Sequence, residues 1–293
     1  MGTCLNCGAE LAGRFCAQCG QRNIPPRPSL RELIGDAYGE LVGWDGKLVR
    51  TLVLLVRSPG ALARAIIDGH RVSYISPVRL YLSCSLLYFL VSAAVPDPNV
   101  ARTFDVGVGV GSGDLKAPES AEDAAMAAAM ARGLASLDAR QRTLVESAIA
   151  KQPALIRPLM KAMVTDPEGL QQRAADTMPR VLFALVPALA CVLALFYRGR
   201  PFPEHLYFAV LFQSFVFLVL AFESVTAFVG TLAALVVGQI VQAAVIAWYG
   251  VVAQRRVYGG SWPMAVSKGI GVGLVYFALW SAAVLGVTIW VST

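Results

Sequence analysis

The chain has 293 residues, of which 56% are hydrophobic and 15% are charged, and its mean hydropathy is +0.60. An average soluble chain has about 25% charged residues. This composition excludes an ordinary soluble domain and predicts a polytopic membrane protein. The net charge of +6 fits Lys and Arg retained on the cytoplasmic side of a membrane. Because aromatic residues do not interleave with a dense basic patch, nucleic acid is not an expected partner.

Four cysteines near the start predict a metal site. Cys4 and Cys7 form one C-x-x-C pair, and Cys16 and Cys19 form a second. Two such pairs are typical of a closed Cys4 site that holds a structural Zn²⁺, which would supply the folding free energy of so small a head. No basic-then-apolar leader precedes this ribbon, residues 1–22, so we expect it in the reducing cytosol. A redox pair is the alternative, but no thioredoxin-like βαβ pattern surrounds the cysteines.

Residues 23–28 predict a stiff, proline-rich linker. Residues 29–76 predict amphipathic juxtamembrane helices, the first of which begins at Ser29 with Glu32 completing a capping box. An apolar stripe follows at helical spacing. This first helix either packs on the rest of the protein or lies in the membrane interface.

Arginines recur every seven residues from position 50 to position 71, and the sequence between them is strongly apolar. Ser58-Pro59-Gly60 divides residues 47–69 into two short helices, neither of which has the roughly 20 residues needed to span a membrane. The segment lies in the cytoplasmic headgroup layer or forms a re-entrant hairpin among the spans. The arginines predicted at the membrane surface are Arg50, Arg57, Arg64, Arg71 and Arg79.

Five apolar runs predict an all-α fold with about five transmembrane helices. These runs cover residues 77–95, 179–197, 206–222, 231–252 and 264–291. Residues 96–178 are balanced in charge and predict a small helical extracytoplasmic domain. If the ribbon is cytoplasmic, five spans that cross the membrane in alternating directions leave the N-terminus in the cytoplasm and the C-terminus outside it. The bases of the short loops then all fall inside, namely Arg198, Arg200, Arg255, Arg256 and Lys268.

Few residues of the spans carry ionisable or amide groups. His205 follows Glu204 at the cytoplasmic end of the third span, where the two form a proton-sensitive or ion-binding pair or an interfacial anchor. Three glutamines lie deeper and either line a polar path or join neighbouring helices. The candidate polar site therefore comprises Glu204, His205, Gln213, Gln239 and Gln242. The chain contains no HExxH, GxSxG or P-loop motif, so we assign no catalytic residue and do not expect an enzyme.

Three stretches carry a family resemblance. The ribbon ends in FC-x-x-CGQ, the basic apolar stretch reads TLVLLVRSPGALARAIIDGHRVSYISPVRLYL, and PEHLYFAVLFQSFVFLVL follows later. Together these resemble a widespread bacterial family of inner-membrane proteins that carry a zinc ribbon and have no known function. The resemblance covers the head through the first span and the last four spans, but not the central loop. It implies a bacterial inner (cytoplasmic) membrane protein with this topology and no established activity.

Two functions follow as the main hypotheses, and a membrane enzyme that acts on lipid through Glu204 and His205 stays open as a third. The first is a non-enzymatic membrane scaffold or regulator whose cytosolic zinc ribbon docks a protein partner. The alternative is a transporter or oligomeric channel for a small solute, ion or lipid, with the candidate polar site lining a cleft. The expected partners are the lipid bilayer and a cytosolic protein, and a homo-oligomer remains open.

Overall fold

The computed structural model describes residues 2–22, 47–94, 138–154, 156–227 and 232–292. The predicted linker 23–28, the helix expected from Ser29 and residues 95–137 of the central segment lie outside these ranges. The chain divides into two compact units. The first comprises Met1–Asp97 and Val186–Tyr276, and the second comprises Pro98–Leu185 and Phe277–Thr293.

The described part of the chain is almost entirely helical, which confirms the predicted all-α membrane class. Its elements, in chain order, are β1 (Gly2–Thr3), β2 (Glu10–Leu11), α1 (Lys47–Arg57), α2 (Ala61–Ile67), α3 (Pro77–Ala94), α4 (Ala139–Lys151), α5 (Arg157–Thr165), α6 (Pro167–Phe196), α7 (Phe202–Ala227), α8 (Leu232–Tyr258) and α9 (Trp262–Ser292).

The ribbon contains a small β-hairpin and two C-x-x-C turns that have the same backbone conformation. Strands β1 and β2 pair antiparallel, with Gly2 opposite Leu11. In each C-x-x-C turn the following glycine has a positive φ, 76° at Gly8 and 72° at Gly20. Glycine adopts this backbone conformation without the steric cost that a Cβ would bring. The sequence C-x-x-C-G therefore folds in the same way twice.

Within the described ranges, four helices are long and apolar enough to cross a membrane. Their spanning segments are Gln172–Phe196, Phe202–Ser224, Val237–Tyr258 and Trp262–Ser292. The predicted first span forms α3, which has 18 residues. At 1.5 Å per residue it is about 27 Å long, slightly less than the roughly 30 Å hydrocarbon core of a bilayer. The structure thus contains four long candidate spans and one short apolar helix.

The four long helices extend beyond the predicted spans, and α6 and α8 extend furthest at one end. Helix α6 begins at Pro167, so the predicted boundary between a loop domain and a span starting at Pro179 falls inside one continuous helix. A proline in the first turn costs no hydrogen bond, and interior prolines are tolerated in membrane helices. Helix α8 continues past residue 252 to Tyr258. Arg255 and Arg256 end the apolar run but not the helix, because cations favour its negative C-terminal end.

The core of the first unit joins α3 to α7. Phe217 is fully buried, and its ring packs against the rings of Tyr81, Tyr88 and Phe89 with centroid distances of 5.5, 5.6 and 6.2 Å. Aromatic pairs at such distances add stability beyond the area that they bury. Helix α3 is therefore held along a helix that is itself long enough to span the membrane.

Helices α1 and α2 form a hairpin that packs against α7 and α8. The hairpin buries Leu55 and Leu62, and the hydroxyl of Tyr249 on α8 donates a hydrogen bond to the Leu55 carbonyl at 2.7 Å. Gly60 in its turn has φ of 73°, and a Cβ there would lie 2.7 Å from the carbonyl oxygen of Ala253. The turn can approach α8 this closely only because residue 60 has no side chain.

The second unit has a small core of its own. Leu159, Ala162 and Leu170 are buried together, and Ile289 and Val291 from the end of α9 pack against them. Helix α4 begins with a capping box between Asp138 and Gln141.

Candidate metal centre and buried polar cluster

The four ribbon cysteines meet at one point. Their sulfur atoms all lie within 4.8 Å of one another. The sulfurs of Cys4 and Cys19 are 3.6 Å apart, and so are those of Cys7 and Cys16. Four thiolates bound to one zinc ion at about 2.3 Å form a tetrahedron with an edge of about 3.8 Å. The positions of these sulfurs therefore fit a single tetrahedrally bound ion.

The backbone of each turn favours a thiolate. The N–H groups of Cys7 and then Asn6 lower the pKa of Cys4 to about 6. The N–H group of Cys19 likewise lowers the pKa of Cys16. The N–H of Ala9 also lowers the pKa of Cys7, but loss of hydration and the neighbouring thiols outweigh it and raise this pKa to about 12. Four sulfurs this close require a cation before all of them can carry negative charge, and soft thiolates select zinc-like ions.

One face of the ribbon is fixed to the segment that follows the α1–α2 hairpin. The side-chain amide of Gln21, which is buried, donates to the carbonyl of Gly69 at 2.8 Å and accepts from the N–H of Val72 at 3.4 Å. The hydroxyl of Ser73 donates to the side-chain oxygen of Asn6 at 2.8 Å. We call these contacts the ribbon clamp. They connect the cysteine ribbon directly to the segment between α2 and α3.

His205 and Glu204 are both buried, in the first turns of α7. The Nδ1 atom of His205 shares a hydrogen bond with the hydroxyl of Tyr258 at 2.9 Å. Its Nε2 atom is also buried and has no hydrogen-bond partner among the residues that the structure describes. Glu204 forms an ion pair with Arg200 at 3.3 Å. A buried histidine is thus held in place by a tyrosine that the sequence alone did not single out.

Aromatic stacking extends this cluster to the adjoining helix ends. The ring of Tyr197 stacks on Tyr258 with a centroid distance of 4.1 Å, and its hydroxyl donates to the side-chain oxygen of Gln254 at 3.2 Å. The ammonium of Lys268 lies 4.5 Å from the centre of the Tyr197 ring. We call the whole set the tyrosine–histidine cluster: Tyr197, Arg200, Glu204, His205, Gln254, Tyr258 and Lys268. The sequence pattern that could have indicated this cluster is a tyrosine beside each short basic loop. Tyrosines at such positions are also common as anchors at the membrane interface, so the pattern is not specific.

The other predicted polar candidates lie elsewhere. Gln213 is buried and accepts a hydrogen bond from the hydroxyl of Tyr276 at 3.5 Å. Gln239 is exposed, and the side-chain nitrogen of Gln242 is buried without a partner among the described residues. Gln242 precedes Tyr258 by about 24 Å along α8. Among the five candidates, the structure brings only Glu204 and His205 into one cluster.

The predicted surface arginines have different environments. Arg57 is exposed, and Arg71 and Arg79 are half-buried. Arg50 lies over the ring of Tyr74 at 5.6 Å. Arg64 pairs with Asp68 at 2.9 Å and also donates to the Val257 carbonyl at 3.4 Å. The last contact places the hairpin beside the basic end of α8.

Comparison with known families gives one match. A family profile described as Protein of unknown function (DUF3667) matches residues 45–89. This range covers the α1–α2 hairpin, the segment bound by the ribbon clamp, and most of α3. No curated protein and no solved structure matches the chain. The chain is therefore similar, over its hairpin and first apolar helix, to a family without an assigned activity.

Proposed function

We propose that this protein is a non-enzymatic scaffold or regulator of a bacterial inner membrane, whose zinc-bound cytosolic ribbon docks a protein partner. The observation that carries the proposal is the asymmetry of the ribbon. One face is held by the ribbon clamp, and elsewhere Phe15 leaves 61% of its surface exposed. A large aromatic side chain on a small folded module is a typical anchor for a partner protein.

The proposed topology has five spans, with the ribbon in the cytosol. Helix α3 counts as a span because it packs on α7 and is nearly as long as the hydrocarbon core. Arg256 at the end of α8 donates to the carbonyl of Pro59 in the hairpin turn at 2.8 Å. The ribbon, the hairpin and the basic ends of the helices therefore belong to one side of the first unit, which supports a cytoplasmic N-terminus.

The metal is proposed to be structural Zn²⁺ held by Cys4, Cys7, Cys16 and Cys19. The purified chain should contain about one zinc ion per molecule. The variant Cys7→Ser should lose it, because a closed site with three thiolates binds the ion less tightly. Cys191→Ser is the control, since Cys191 lies outside the ribbon in α6. Zinc is measured by elemental mass spectrometry, and equal zinc contents in the two variants would contradict the assignment.

Partner docking is tested by photo-crosslinking in living cells. A photoreactive residue in place of Phe15 should give one discrete intermolecular adduct, and this adduct should disappear in the Cys7→Ser background. The control position is Leu5, which is 43% exposed but lies against Gly69 on the clamped side. No discrete adduct from position 15, or the same adduct from both positions, would show that the ribbon does not dock a partner through Phe15.

A second candidate function is ion movement through the tyrosine–histidine cluster. It is favoured by the buried Nε2 atom of His205, which has no partner among the described residues, because an ionisable group inside a membrane often marks a proton or ion path. The full chain in liposomes that contain a pH-sensitive dye would test it. His205→Gln should abolish any proton flux, whereas His70→Gln, at an exposed histidine, should not. A wild-type flux equal to that of protein-free liposomes would remove this candidate.

A further inference from the structure

We propose that the turn between α8 and α9 binds the phosphate of an anionic phospholipid headgroup. This turn contains a cavity of about 360 Å³. None of its lining residues is acidic, and the residues that line it are Val252, Arg255, Arg256, Gly259, Gly260 and Trp262. Basic pockets at the cytoplasmic ends of membrane helices are suited to phosphate headgroups. The site is separate from both the ribbon and the tyrosine–histidine cluster in the residues that form it.

The first arginine is held in a position that suits an anion. The guanidinium carbon of Arg255 lies 4.1 Å from the centre of the Trp262 ring, which is a cation–π contact. Its Nε atom is buried and has no partner within the described part of the chain. Arginine donates hydrogen bonds through a planar fork that matches phosphate oxygens. The stacked guanidinium therefore has a fixed orientation before any anion binds.

The second arginine is fixed by the hairpin. Arg256 is exposed, and one of its terminal nitrogens donates to the Pro59 carbonyl at 2.8 Å. A guanidinium has five N–H donors, so most of them remain for a ligand. Because both arginines are restrained before binding, little side-chain entropy is lost when an anion arrives.

The backbone of the turn also favours a phosphate. Gly259 and Gly260 have φ of 80° and 97°, and without side chains they let a ligand approach the main chain closely. Helix α9 begins directly afterwards at Trp262. The dipole of α9 attracts negative charge at this end, and Pro263 in its first turn supplies no N–H group. The backbone of the turn would therefore contribute to phosphate binding in addition to the two arginines.

The surroundings favour a phosphate carried by a lipid. Trp262 is half-exposed at a helix end, where tryptophan is typical of the membrane–water interface. Val266 and Ile270 follow on the same side of α9 as Trp262 and are both exposed. A headgroup in the cavity would place its acyl chains near this apolar surface. A soluble phosphate would make no contact with this apolar surface.

The test measures lipid binding by the full chain, purified in zwitterionic detergent. The probe is phosphatidylglycerol with a fluorescent acyl chain, and binding is followed by anisotropy. Removing both charges in Arg255→Gln, Arg256→Gln should weaken binding about tenfold or more. Arg198→Gln is the control, because Arg198 is an exposed base of the neighbouring α6–α7 turn outside the cavity. Its affinity should stay close to that of the wild type.

A second variant separates geometry from charge. Arg255→Lys keeps the net charge but loses the fork, so it should still bind less tightly than the Arg198→Gln control. Thermal unfolding verifies that each variant is folded. Equal lipid affinities in the double variant and the control would overturn the site. Full displacement of the lipid by millimolar inorganic phosphate would show that the cavity takes free phosphate, and would overturn the lipid assignment.

Discussion

His205 is buried in the first turns of α7 and is hydrogen-bonded to a residue distant in sequence. Its Nδ1 atom shares a hydrogen bond with the Tyr258 hydroxyl at 2.9 Å. The Tyr258 ring is in turn stacked on Tyr197. The position of the imidazole therefore depends on the end of α8 and not on α7 alone.

Tyr258→Phe should destabilise the protein by about 1–3 kcal/mol, because it leaves a buried imidazole without its partner. His205→Phe in the same background should recover part of that loss, since the remaining ring nitrogens are then removed as well. Thermal unfolding of the two single variants and the double variant forms a double-mutant cycle. Additive effects would show that the hydrogen bond contributes nothing to stability.

Gly60→Ala should destabilise the protein by about 2 kcal/mol or more. The residue would adopt a left-handed backbone conformation, and its Cβ would lie 2.7 Å from the Ala253 carbonyl oxygen. Gly199→Ala is the matched control, because a Cβ there meets nothing within 4 Å. Chemical or thermal unfolding in detergent measures both. Similar stabilities for the two variants would mean that the hairpin turn can move away from α8.

At the scale of elements, the ribbon and the hairpin are connected by the ribbon clamp. The proposed Zn²⁺ would fold the ribbon, and the clamp would pass that order to residues 69–73, directly before α3. The family match begins just before α1 and ends within α3, so it contains the segment that the clamp holds. Because the clamp holds the segment that follows the hairpin, folding of the ribbon would also restrain the hairpin against α7 and α8.

Gln21→Ala should release the ribbon without removing its metal. The change deletes both hydrogen bonds of the Gln21 amide and should cost about 1–2 kcal/mol of local stability. Hydrogen exchange of the Val72 amide should then accelerate about tenfold. Gln18→Ala, at an exposed glutamine of the same ribbon, is the control and should leave the rate unchanged. Unchanged exchange in Gln21→Ala would show that the clamp does not hold the segment.

At the scale of the whole molecule, the short helix α3 decides the topology. With five spans and a cytoplasmic ribbon, the central segment and the C-terminus lie outside. If α3 did not cross, the four long helices would return the C-terminus to the cytoplasm and leave the central segment there too. The two topologies therefore place both the central segment and the C-terminus on opposite sides of the membrane.

Reporter fusions distinguish these topologies. Alkaline phosphatase joined after Thr293, or inserted within residues 101–137, should be active, because it folds only outside the cytoplasm. A fluorescent protein fused at the C-terminus should stay dark, and one fused before the ribbon should fluoresce. Fluorescence at both ends would show four spans instead of five.

The sequence by itself determined the features that depend on local pattern. Long apolar runs indicate membrane helices because a bilayer admits only backbones whose hydrogen bonds are satisfied internally. The paired cysteines indicate a metal site because their spacing alone brings two sulfurs to one point. The sequence did not locate the helix ends: the predicted spans start at residue 179 and stop at residue 252, whereas α6 begins at Pro167 and α8 ends at Tyr258. The amino-acid composition changes from apolar to polar at these positions, but the backbone hydrogen bonds of the helix continue through them.

Only the tertiary structure decided how the parts meet. The Gln21–Gly69 clamp, the His205–Tyr258 hydrogen bond and the Tyr249–Leu55 contact all join residues far apart in the chain. No periodicity or spacing records such pairs, because each depends on how separate elements pack. The basic cavity at Arg255 and Arg256 has the same origin: charge was visible in the sequence, but Pro59 and Trp262 hold the two guanidinium groups in place.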